Sequence, residues 1–118
     1  MPDKHSSVRD GKRLVWYTER LWNLAETLEP FDKQVASFKE LDRDCWFGPE
    51  KPPTLREVAQ HCQRITGAVM EHPIILNGNG QLTDGGRRLC KALLLGQPTI
   101  KAVQFPSMPE QDESHELG

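Results

Sequence analysis

Apolar residues recur at helical spacing near the start of the chain. They lie three or four positions apart, at Leu14, Tyr17, Leu21, Leu24 and Leu28. This pattern predicts a first helix over about residues 15–28. Pro30 ends it, because proline has no N–H to donate and its ring clashes with the preceding turn. Trp16 and Trp22 lie off the apolar stripe, so we expect one of them to pack and the other to cover a groove or a partner.

A second helix begins after Pro52 and Pro53. Thr54 and Glu57 have the spacing of a capping box, in which each side chain bonds to the backbone N–H of the other. Gly67 supplies the stop. The predicted buried face consists of Leu55, Val58, Ala59, Cys62 and Ile65.

The remaining segments favour short strands and one more helix. Residues 35–41 are ambiguous and fit a short strand. An Asn-Gly-Asn-Gly turn predicts a hairpin, because Asn and Gly tolerate positive φ. We expect strands at residues 74–76, 81–82 and 99–105, and a helix over residues 86–95 that Gly96 ends. This mixed order of elements indicates an α/β or α+β fold with a small mixed sheet.

Composition suggests one folded unit. The chain has 118 residues and a formal net charge of −2, which suits a single domain over residues 13–105. Residues 1–12 and 106–118 are polar, and we expect both to lack fixed structure. No apolar run approaches the roughly 20 residues that span a bilayer, so we expect a soluble cytoplasmic protein with no membrane partner. The three scattered cysteines predict reduced, mostly buried thiols.

The stretch Asp-Gly-Gly-Arg-Arg at residues 84–88 contains the candidate chemistry. A helix that begins at Gly85 or Gly86 presents backbone N–H groups and a positive dipole end. Arg87 and Arg88 add guanidinium groups, which match phosphate oxygens. These features predict a phosphate site. The alternative is a solvated helix start that Asp84 caps while neutralising one arginine.

A family resemblance depends on the stretch "PIILNGNGQLTDGGRRLCKALLLGQPTIKAVQF". It resembles the core of the ParB-like domain, whose superfamily includes sulfiredoxin; the likeness covers about residues 35–105 and is specific over 73–105. The resemblance implies a small mixed sheet with helices, here with an extra N-terminal helix. It also implies a nucleotide ligand, CTP or ATP with Mg²⁺, held by Gly85, Gly86, Arg87 and Arg88. Position 86 is glycine where sulfiredoxin has its reactive cysteine, so binding is expected more than catalysis.

Other roles stay open. Trp46 belongs to a loop before the second helix. The resemblance implies that this loop lies near residues 84–88, the phosphate box, where Trp46 would line a base pocket. The alternative is that Trp46 anchors the loop in the core. An NTPase or metal-dependent nuclease is one alternative, with Asp84 as the candidate catalytic acid. A ligand-free protein-interaction domain is another. DNA binding would rest on a few local cations, Arg87, Arg88, Lys91 and Lys101. No cysteine or histidine spacing predicts a zinc site.

Overall fold

The structure, a computed structural model, describes residues 4–43 and 52–117. The strands in this part of the chain are β1 (Lys4–Arg9), β2 (Lys12–Tyr17), β3 (Phe31–Gln34), β4 (Ile74–Leu76), β5 (Leu82–Asp84), β6 (Thr99–Gln104) and β7 (Glu113–Glu116). The helices are α1 (Thr18–Ala25), α2 (Leu55–Thr66) and α3 (Gly86–Leu94), with 3₁₀ helices at Val35–Ser37 and Lys39–Asp42.

The described strands form two small sheets. The three-stranded sheet has the order β1-β2-β7 and is antiparallel. The four-stranded sheet has the order β3-β6-β4-β5, in which β4 runs parallel to β6 and the other pairs are antiparallel. The protein is therefore a mixed α/β fold, as the order of predicted elements indicated. None of the helices in the described ranges is long and apolar enough to cross a membrane.

The four-stranded sheet lies between two apolar clusters. Alternate residues of a strand point to opposite faces, so Ile74 and Leu76 contact one cluster while Ile75 contacts the other. The first cluster contains the buried face of α3, with Leu89 and Ala92. The second cluster includes α1 and the end of β2. This layering places the start of α3 beside the edge strand β5.

The second half of the chain agrees with the sequence. Thr54 Oγ1 accepts a hydrogen bond from the Glu57 backbone N–H at 3.2 Å, which confirms the predicted cap of α2. The hairpin turn is confirmed by the bond from Gly80 N to Asn77 O, and Gly80 has φ 77°. The helix that precedes Gly96 and the last strand of the sheet are also present, as α3 and β6.

The first predicted helix is only half correct. Residues 12–17 are strand β2, and α1 begins at Thr18. Leu14 and Trp16, two positions apart, both pack on the second cluster, which is the period of a strand and not of a helix. β2 is the central strand of its sheet, so pairing on both sides outweighs the local helical spacing. Trp16 is buried and Trp22 is half exposed, as expected for one packing tryptophan and one groove tryptophan.

Both ends of the chain contain strands where we expected no fixed structure. Residues 4–9 and 113–116 pair with the two edges of β2. The acidic tail is held by side chains: Asp112 accepts a bond from the Tyr17 backbone N–H at 2.8 Å, and Glu113 accepts one from the Tyr17 hydroxyl at 2.6 Å. Composition could not show this, because the partners lie nearly 100 positions away in the sequence.

Two further expectations are wrong. Residues 35–41 are not a strand; the strand ends at Gln34, and 3₁₀ helices follow it. In α2 the buried residues are His61 and Ile65, whereas Leu55 is 92% exposed and Cys62 is also exposed. Of the predicted stripe only Ile65 is buried, and His61, next to the predicted Cys62, is the other buried residue of α2, which packs on α3.

The Glu113 carboxylate should make the stability of the protein depend on acid. Hydrogen bonds from Tyr17, His115 and Lys4 lower the pKa of Glu113 from 4.5 to about 2. Because the unfolded chain takes up this proton first, the contribution to stability is full above about pH 4.5 and is lost as the pH falls towards 2. We expect Glu113→Gln to reduce the loss of stability over this range, as measured by urea unfolding.

Glu116→Gln is the matched control, because Glu116 lies on the same strand and its exposed carboxylate contacts Lys12 alone among the described salt bridges. An unchanged pH profile in Glu113→Gln would show that the carboxylate does not stabilise the folded sheet.

Candidate functional site

The start of α3 requires a glycine for packing. Gly85 joins β5 to α3 with φ 114°, a conformation that side chains disfavour. A Cβ at this position would lie 2.5 Å from Ile74 Cγ2 and 3.1 Å from Arg88 Nη2. The close approach of Gly85 to Ile74 in the sheet therefore explains the first glycine of the Gly-Gly pair, whether or not a ligand binds at the helix start.

Arg88 is occupied within the protein. Its Nη2 forms an ion pair with Asp84 Oδ2 at 2.8 Å, and its Nη1 donates to the backbone carbonyls of His72 and Pro73 at 2.6 and 2.9 Å. The side chain is only 12% exposed. These bonds tie α3 to β5 and to the segment that leads into β4, so Arg88 has the contacts of a structural residue.

Asp84 receives a second donor from another helix. Trp22 Nε1 on α1 donates to Asp84 Oδ2 at 2.7 Å. No side chain caps α3 at Gly85. The alternative interpretation of the sequence gave Asp84 two roles, capping the helix and neutralising one arginine. Asp84 neutralises Arg88 but does not cap the helix. The first backbone N–H groups of α3 are therefore not bonded to a capping side chain at Gly85.

A cleft of about 680 Å³ opens at this helix start. Its walls come from β1, α1, α2, β5 and the first turn of α3. Four cationic side chains line it against the two carboxylates of Glu40 and Asp84, although the whole chain has a net charge of −2. The cations are Lys4, Arg64, Arg87 and Arg88. The cleft is therefore a local positive site on an acidic protein.

Two of these cations, Arg64 on α2 and Arg87 on α3, form no ion pair or side-chain hydrogen bond with another described residue. Burial lowers the pKa of the His61 imidazole, and the charges of Arg87 and then Arg64 lower that pKa further. Arg64 and Arg87 thus line one cleft from two helices that pack on each other.

The inner wall adds two polar groups. His5 on β1 lines the cleft with its ring centroid 5.9 Å from that of Trp16; burial lowers its pKa and the charge of Asp84 acts in the opposite direction. Thr83 also lines the cleft, and its buried Oγ1 has no hydrogen-bond partner among the described residues. Neutral imidazole and hydroxyl groups thus lie beside the cations.

The predicted box residues all reach the cleft, but in different roles. Gly86 and Arg87 face it without the internal bonds that hold Arg88 and Asp84. Trp46 lies outside the described residues, so the expected base pocket at Trp46 is not described.

Sequence reasoning missed the residues that other elements contribute. Lys4 and His5 belong to a segment predicted to lack structure, and Arg64 belongs to a helix with no link in sequence to the box. Two of them had a signal: Trp22 lay off the apolar stripe, and Lys4 belongs to a basic N-terminal segment with Arg9, Lys12 and Arg13 that would add to the site by folding back. Within residues 4–43 and 52–117, no three histidine, cysteine or acidic side chains are grouped so as to hold a metal ion.

Comparisons of the chain with protein-family models, with curated proteins and with solved structures find no match. The resemblance to the ParB-like domain therefore stays a prediction that depends on residues 73–105.

The neighbouring arginines of the box should differ in their effect on stability. Arg88→Ala removes three hydrogen bonds and leaves the Asp84 carboxylate without its ion pair, so we expect a loss of about 1–3 kcal/mol in the free energy of unfolding. Arg87→Ala is the matched control, expected to change it by less than about 0.5 kcal/mol. Urea unfolding of both variants is the measurement, and equal losses would contradict the structural role of Arg88.

Glycine substitutions test the close approach at the start of α3. Gly85→Ala combines a positive φ with a Cβ pressed on Ile74, and we expect it to cost about 2–4 kcal/mol. Gly96→Ala also has a positive φ, but nothing lies within 4 Å of its added Cβ, so we expect about 1–2 kcal/mol. Thermal unfolding compares the two. Similar losses would show that Ile74 yields at no cost.

Proposed function

We propose that the cleft at the start of α3 binds a small ligand that carries a phosphate group. The observation that carries this proposal is the pair Arg64 and Arg87, two guanidinium groups from two helices that line the same cleft and form no ion pair with a described acid. Like charges held together raise each other's energy, and a bound anion would reverse that effect. Guanidinium groups match phosphate oxygens in paired geometry.

The helix start supports the same ligand. The first N–H groups of α3 have no intrahelical acceptor, and among the described residues no side chain caps them at Gly85. A phosphate in front of Gly86 and Arg87 would accept from them and be favoured by the helix dipole. In this arrangement Arg87 contacts the ligand, while Arg88 and Asp84 shape the backbone that receives it. This changes the role of Arg88 from a phosphate-binding residue to a positioning residue.

A nucleotide is one member of the proposed ligand class. The resemblance to the ParB-like domain favours CTP or ATP, and the cleft volume of about 680 Å³ lies within the roughly 300–1,000 Å³ typical of ligand sites. Mg²⁺ in nucleotide sites is held largely by the phosphates and by one or two carboxylates. Asp84 already accepts bonds from Arg88 and Trp22. We therefore assign no metal and no reaction to it.

The other cations argue for a small anion over a nucleic-acid backbone. Lys12 pairs with Glu116, and Lys101 pairs with Asp32 at 2.8 Å. Lys91 Nζ donates to the backbone carbonyl of Ala68 at 2.8 Å. These contacts neutralise or occupy charges that a long phosphate backbone would need, whereas the two guanidinium groups in the cleft suffice for one phosphate.

Ligand binding should raise the melting temperature. We expect a concentration-dependent shift with inorganic phosphate, pyrophosphate, or CTP, ATP or GTP with Mg²⁺; a ligand at ~100 times its Kd stabilises by ~2.7 kcal/mol. Arg87→Ala and Arg64→Ala should each weaken binding by about tenfold or more, because each removes a charged hydrogen bond. Arg56→Ala is the matched control, since Arg56 lies on α2 but not among the cleft residues.

The imidazole of His61 reports where the ligand binds. An anion between Arg64 and Arg87 would offset their charges, so the pKa of His61 should rise on binding, as NMR titration measures. No thermal shift with any of these phosphates, or a shift that Arg87→Ala and Arg64→Ala leave unchanged, would count against the proposal.

A further inference from the structure

A second cavity adjoins the cleft. Its volume is about 360 Å³, and Trp22 and His72 line both spaces. Most of its other walls are apolar, from Ala25, Leu28, Pro30, Pro73, Ile75 and Val103. The cavity lies between α1 and the sheet face that carries Ile75 and Val103. The two spaces therefore meet at Trp22 and His72.

Trp22 is held in place although it is exposed. Trp22 is 51% exposed, yet its Nε1 donates a hydrogen bond to Asp84 Oδ2 at 2.7 Å. Asp84 is fixed in turn by Arg88. The indole ring is therefore a positioned wall between the cleft and the apolar cavity. Large apolar rings with a satisfied N–H commonly mark surfaces that contact a ligand.

The two cavities differ sharply in charge. The cleft contains four cationic side chains, two of them without an acidic partner among the described residues. Of the described residues that line the second cavity, Glu26 has the one charged side chain. A carboxylate and apolar walls disfavour a second anionic group there, whereas an aromatic or aliphatic group would bury apolar surface. The cationic side chains thus lie on one side of Trp22 and the mostly apolar walls lie on the other.

We propose that the cleft and the apolar cavity form one composite site for an organic phosphate whose remaining part is apolar. The phosphate lies at Arg64, Arg87 and the start of α3. The apolar part passes Trp22 and enters the cavity at Ala25, Leu28 and Val103. This inference rests on the proposed function, because it uses the same phosphate position, and it adds the chemistry of the rest of the ligand.

Calorimetric titration of the full chain with three probes tests the composite site. The probes are inorganic phosphate, 1-naphthyl phosphate and uncharged 1-naphthol. We expect 1-naphthyl phosphate to bind at least tenfold more tightly than inorganic phosphate, and at least tenfold more tightly than 1-naphthol. Arg87→Ala should weaken both phosphates by a similar factor, because both use the same guanidinium group.

Variants of α1 locate the apolar part. Trp22→Ala should remove the preference for 1-naphthyl phosphate while inorganic phosphate binds within about twofold of its original affinity. Trp22→Phe keeps an aromatic wall without the N–H bond to Asp84, so it should retain most of the preference. Leu24→Ala is the matched control, because Leu24 is a similarly exposed residue of α1 that lines neither cavity.

The outcomes separate the two proposals. Equal affinities for the two phosphates would overturn the composite site and leave phosphate binding intact. Binding of neither phosphate would overturn both. Binding of 1-naphthol as tight as that of 1-naphthyl phosphate, or a preference that survives Trp22→Ala, would show that the apolar cavity and the cleft do not act as one site.

Discussion

One carboxylate joins the elements on which the cleft depends. Asp84 Oδ2 accepts a hydrogen bond from Arg88 at 2.8 Å and another from Trp22 at 2.7 Å. These bonds connect β5 to the helix that follows it, α3, and to α1, which lies 62 positions away in the sequence. A charged hydrogen bond at a partly buried site is stronger than one in water. The contact thus holds Arg88 and Trp22 beside the start of α3.

The same contact separates the two arginines of the box into different kinds of residue. Arg88 has its charge satisfied by Asp84 and by two backbone carbonyls, so it stabilises the fold. Arg87 lines the cleft together with Arg64, and the charges of both lower the pKa of His61. The positive charge of the cleft therefore comes from side chains of several elements and not from residues 84–88 alone. Trp22, fixed by the same carboxylate, gives that cleft an apolar neighbour.

Local signals predicted much of the second half of the chain because its elements are set by nearby residues. The cap at Thr54, the Asn-Gly turn and the glycines around α3 each act within a few positions. The first half was predicted less well, since Leu14 fits both the helical stripe and the strand period that it shares with Trp16. Pairing of β2 with two strands from the ends of the chain decides between them, and no local pattern contains that information.

The sequence alone determined that a helix begins within residues 84–88 with two arginines in its first turn, because capping, glycine conformation and charge are local properties. Tertiary structure decided which of those charges are available. Asp84 and Arg88 are four positions apart, so their ion pair is a local contact, but the bonds from Arg88 to the carbonyls of His72 and Pro73 form only where α3 meets the segment before β4. Lys4, Trp22 and Arg64 joined the site for the same reason: folding brought together residues that the sequence keeps apart.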